Sequence, residues 1–71
     1  MVQIAGRITV NLISKAARAL VSASERAGMS KTDTVNRALL LYDYIDLTIE
    51  SGDEVLIRSH ETGELHRLRL M

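Results

Sequence analysis

A chain of 71 residues with 46% apolar content, no Cys and a formal net charge of zero is at most one domain, with no access to disulfides or thiolate metal sites. At this size folding buries only roughly 60% of the unfolded chain's surface, and two isolated His argue against a structural zinc site, so oligomerisation is the route left for completing a core. No apolar run approaches the ~20 residues of a membrane span, and residues 1–5, MVQIA, lack the basic start and long apolar stretch of a secretory signal. The expectation is a cytoplasmic protein without a membrane partner.

The neutral total hides an uneven distribution. Through Arg37 six bases face two acids, a net +4, whereas from Ala38 onward three Arg face seven acids, a net −4. A basic first half can hold phosphate while the acidic second half keeps nonspecific affinity for polyanions low.

In chain order the first element is GRITVNL, residues 6–12, where Ile8, Val10 and Leu12 alternate with Arg7, Thr9 and Asn11. That period predicts a strand over 7–12 with one face buried and one exposed. A helix over 14–27 follows, with Ile13, Ala16, Leu20, Ala23 and Ala27 on one stripe. Ser14 is the candidate N-cap and Gly28 the left-handed stop. The outer face carries Arg18, Ser22, Glu25 and Arg26. Ser30 and Asp33 in SKTD form an S-x-x-D capping box, and a helical pattern then runs over 31–50. Val35, Ala38, Tyr42, Ile45 and Ile49 make one apolar row and Leu40, Leu41, Tyr44 and Leu47 a second. A helix apolar nearly all round is covered on more than one side, and a chain this small has too little mass to do so. A second copy supplies the cover. ESGD at 50–53 ends the helix, and residues 51–71 read as a β-hairpin extension, with arms EVLIRS and ELHRLRL and Gly63 in the turn. This hairpin covers apolar surface, extends the dimer or receives a protein partner.

The order strand, helix, tight Gly turn, capped helix, carried by RITVNL, Gly28 and MSKTDTVNRALLLY, resembles the ribbon-helix-helix family of bacterial and phage DNA-binding regulators over residues 6–45. The resemblance implies a fold that is mainly α with a short N-terminal strand. Residues 1–50 would form an intertwined homodimer, followed by the C-terminal hairpin. In that dimer the strands of two chains pair antiparallel, which satisfies amides and carbonyls that a lone strand leaves open. The implied dimer core is Ile8, Val10 and Leu12 with Leu20 of the first helix and Val35, Ala38, Leu39, Tyr42 and Ile45 of the second.

Arg7, Thr9 and Asn11 of each chain would then project outward about 6.6 Å apart, two strand rises, from a ribbon able to enter a major groove about 12 Å wide. Arg7 suits a guanine edge, Asn11 an adenine, and Thr9 a hydrogen bond beside a thymine methyl. Ser30, Lys31 and Thr32 at a helix N-terminus, with Lys15, are the candidate phosphate-binding residues, fixing register without reading sequence. The partner is double-stranded DNA, and dimers of this family commonly occupy tandem half-sites, so higher-order assembly on DNA is a further expectation.

Catalysis has no support. GMSKT lacks the second Gly of a G-x-S-x-G elbow, there is no Gly-rich phosphate loop, and neither His60 in the turn nor His66 on a strand is placed to activate Ser30. Asp43, Asp46 and Glu50 imitate a metal-ligand spacing but read as the wet face of a helix, so no catalytic residue, metal or cofactor is expected. The leading expectation is a sequence-specific DNA-binding regulator acting as a repressor. Two alternatives stand beside it: an antitoxin that adds a toxin-binding tail, and a protein-interaction module that keeps the dimer without DNA.

Overall fold

The computed structural model describes residues 5–70. In chain order these form helix α1 (Ser14–Ala27), helix α2 (Lys31–Glu50), strand β1 (Leu56–Arg58) and strand β2 (Leu65–Arg67). The fold is mainly helical with one small antiparallel sheet. The chain divides into two compact units, the first reaching Thr34 and the second starting at Val35, with α2 crossing the division.

In the first unit residues 5–13 carry neither helix nor strand. A strand exists only as part of a ladder, and no described residue of this unit offers residues 7–12 a partner strand. Helix α1 has the expected bounds but not the expected cap. Ile13 occupies the N-cap position with φ −66° and ψ 157°, and no side chain caps the helix. The Ile13 carbonyl accepts the Ala17 N–H at 2.9 Å, which makes Ser14 the first helical residue, one position too late to cap. Along the expected stripe Ala16, Leu20 and Ala23 are half-buried, while Ile13 and Ala27 are exposed. Ile13 lies outside the helix, and Ala27 is its last residue, with no further turn beyond it to cover it. Ser24 is the one buried residue among those described, at 6% exposure, with its hydroxyl donating to the Val21 carbonyl at 3.0 Å.

Gly28 closes α1 at φ 64° and ψ 33°. Its N–H donates to Glu25 O at 3.2 Å and the Met29 N–H to Ser24 O at 3.0 Å, the paired bonds of a Schellman terminus. A β-carbon in this left-handed region costs about 1–2 kcal/mol, which is why Gly stands there. The next helix starts within three residues. Ser30 Oγ accepts the Asp33 N–H at 3.1 Å, and the Thr34 N–H and hydroxyl both donate to the Ser30 carbonyl, at 3.0 and 2.9 Å.

In the second unit α2 continues to Glu50 and ends as α1 does. The Gly52 N–H donates to Ile49 O at 3.0 Å and the Asp53 N–H to Thr48 O at 3.1 Å, with Gly52 at φ 97°. The hairpin pairs Leu56 with Arg67, Ile57 with His66 and Arg58 with Leu65. Its regular arms are shorter than the sequence pattern over 54–59 and 64–70, although the Leu68 N–H still reaches Val55 O at 2.8 Å. The turn is closed by the Ser59 N–H on Glu64 O at 2.8 Å and the Gly63 N–H on Ser59 O at 2.9 Å, with Gly63 at φ 76°. Half-buried Ile49, Val55, Leu68 and Leu70 line one shallow open groove of this unit.

Among the described residues no apolar side chain is buried. Leu39, Leu40, Leu41 and Tyr42, four successive positions of α2, are all exposed. Such a distribution leaves most of the chain's hydrophobic stabilisation unrealised, since fully covering a Leu or Ile side chain is worth about 1.5–3 kcal/mol.

Candidate nucleic-acid interface

All seven residues that the sequence offers for nucleic acid, namely Arg7, Thr9, Asn11, Lys15, Ser30, Lys31 and Thr32, fall in the first unit and are exposed. Arg7, Thr9 and Asn11 precede α1, and none of the three makes a hydrogen bond or ion pair with another described residue. Alternating with them, Ile8 is 79% exposed, and Val10 and Leu12 are also open to solvent. A run that shows both its polar and its apolar residues to water has not yet buried either face.

Lys15 is the second residue of α1, whose N-cap Ile13 offers no side-chain acceptor to the first amides of the helix. Lys31 and Thr32 open α2. The amides of a first helical turn gather partial positive charge, and here Ser30 Oγ takes up the third of them, from Asp33. The Lys31 ammonium adds a full charge beside that end. Asp33 sets one negative charge in the same turn. Such a terminus attracts an anion by position and charge, and it distinguishes no base sequence.

The expected dimer core is split between the units. Leu20 on α1 is half-buried in the first; in the second, Val35, Ala38, Leu39 and Tyr42 are exposed and Ile45 half-buried. The last five recur at steps of three, one, three and three along α2, and so share one side of it. Arg18 and Arg26 stand on the exposed side of α1, where Arg26 donates to the Ser22 hydroxyl one turn earlier.

Two features of the second unit escape a linear reading. Arg67 Nη1 pairs with Glu54 Oε2 at 3.0 Å across the hairpin, and Arg58 lands on the same sheet face as Arg67. The signal for both is positional parity, which has no meaning until the turn fixes the register.

His60 lies in the turn and His66 on β2. Among the described residues no three His, Cys, Asp or Glu side chains converge to hold a metal ion, and no helix is long and apolar enough to cross a membrane. Compared with known proteins, the chain matches no family model, no curated protein and no solved structure.

Proposed function

We propose that this protein is a homodimeric, sequence-specific DNA-binding regulator of ribbon-helix-helix type, acting as a repressor by occupying its operator. Two copies pair residues 7–12 antiparallel, turn Ile8, Val10 and Leu12 onto the helices, and set Arg7, Thr9 and Asn11 of each copy along a ribbon for the major groove. The starts of α2 in the two copies then hold flanking phosphates.

The observation that carries this reading is the exposure of Ile8, Val10 and Leu12 in strict alternation with the three polar candidates. Three aliphatic side chains at every second position gain from burial only if the intervening polar groups stay outside, and a two-stranded ribbon over helices meets both demands. The location of all seven polar candidates in one unit supports the same assignment.

Binding-site selection from random duplex DNA tests it. The expected result is enrichment of a two-fold symmetric motif whose preference is lost in the Arg7→Ala/Thr9→Ala/Asn11→Ala variant while that variant still associates. Each bidentate pair removed costs about 1–3 kcal/mol of discrimination. A selection that enriches no sequence, or a variant that retains the preference, rejects the reading.

A further inference from the structure

The hairpin register sorts its charges. Directly opposed residues of an antiparallel pair share a face, as do residues two apart on one strand. Leu56 and Arg58 on β1 therefore lie beside Arg67 and Leu65 on β2, and the Leu68–Val55 bond carries the alternation on to Arg69. Arg58 and Arg67 are thus on a single sheet face, around two exposed leucines, with Glu54 paired to Arg67 as the one acid among them, and Arg69, the third cation from Ala38 onward, follows two residues beyond Arg67. The opposite face carries Val55, Ile57, His66 and Leu68, of which Val55 and Leu68 are half-buried.

Helix α2 holds a surface of the reverse kind. Leu40, Tyr44 and Leu47 stand at i, i+4 and i+7, with Leu40 74% and Tyr44 70% exposed. This row lies across the helix from Val35, Ala38, Tyr42 and Ile45, with Leu39 of the proposed core about a quarter turn away, so that core leaves the row uncovered. Asp43 and Glu50, each three residues beyond a leucine of the row, border it on one side, and Arg37, three residues before Leu40, stands at its N-terminal end on the other. One surface therefore has leucines beside arginines and the other has Leu and Tyr with two carboxylates along one edge.

Both surfaces belong to the same unit, yet in the single chain both are open to solvent. We propose that the Arg58–Arg67–Arg69 face of the hairpin docks on the Leu40–Tyr44–Leu47 face of α2 in a second copy of this chain. Arginine forks meet the Asp43 and Glu50 carboxylates at the rim while Leu56 and Leu65 meet the apolar row. Complementary charge favours this occupant over duplex DNA, because the seven acids of this half oppose the approach of a second polyanion. The contact is independent of DNA reading by residues 7–12.

Charge reversal on each side, followed by mixing, tests the contact. Arg58→Glu/Arg69→Glu reverses the hairpin while keeping the Arg67–Glu54 pair, and Asp43→Lys/Glu50→Lys reverses the helix. In sedimentation at low salt each variant alone is expected to need at least a tenfold higher concentration than the original chain to reach the same mean mass. An equimolar mixture of the two variants should return towards the original curve, because each then finds an oppositely charged face on the other chain. Circular dichroism checks that the variants keep their helices, and the milder Arg58→Ala/Arg69→Ala variant, expected to shift association in the same direction, replaces any that do not. Unchanged association in the variants overturns the proposal, as does a loss that mixing fails to restore. Unaltered self-association accompanied by weaker, less salt-dependent DNA binding overturns it in favour of a phosphate contact.

Discussion

Residues 7–12 and the C-terminal hairpin are written in the same alternating code, and only the hairpin forms a ladder within one chain. The difference lies in the residues C-terminal to each run. Arg58 leads through Ser59 into a four-residue turn with Gly63 in the left-handed region, which brings a second alternating run back alongside. Leu12 leads through Ile13 straight into α1, which can return no strand to its side. Alternation states that a segment has two faces, whereas the turn decides whether its partner comes from within. Where no turn exists the partner comes from elsewhere, and under the proposed pairing a second copy meets that need.

Val10 is the position where this contrast faces its most severe trial. With residues 7–12 paired between copies, Val10→Asp places an uncompensated carboxylate in the shared interior and is expected to destabilise the assembly by at least about 3 kcal/mol. The loss should appear as a sharp rise in the protein concentration needed for cooperative unfolding by circular dichroism. A variant that unfolds like the original at every concentration would place Val10 on a solvent face. Gly63→Ala probes the hairpin instead. Forcing a β-carbon at φ 76° should cost about 1–2 kcal/mol in urea unfolding, and the loss should show first as faster amide exchange at Ile57 and His66. The smallest effect belongs to Glu54→Gln. Both side chains of the Arg67–Glu54 pair are more than half exposed, at 53% and 57%, so solvent screening leaves a change below about 0.5 kcal/mol, further reduced by salt.

Much of the helical fold was legible because its punctuation is chemical and local. Gly28 and Gly52 stop the helices by their backbone freedom, Ser30 starts the second with a hydroxyl, and both helices span the residues that these signals delimit. Ser14 misled for the same local reason. A hydroxyl next to a helix start looks like a cap, yet the cap position is set by where the preceding backbone stops being extended, and that falls at Ile13. The hairpin arms came out shorter than their alternation because a ladder needs both strands at once, and pairing weakens away from the turn at Arg69 and Leu70. The polar candidates of residues 7–32 could be named from residue type alone, and they fall together in one unit. The arginine face could not, since Arg58 and Arg67 become neighbours only through the pairing of β1 with β2.

The sole buried residue among those described is Ser24, whose hydroxyl is engaged with the backbone of its own helix. A polypeptide built this way has its oily matter on loan to whichever neighbour arrives. Under the proposed pairing, acquiring shape becomes a second-order event, and every tenfold rise in abundance adds about 1.4 kcal/mol towards the ordered form. How much of the protein a cell holds would then set what fraction of it escapes proteolysis, so that dosage itself serves as the dial.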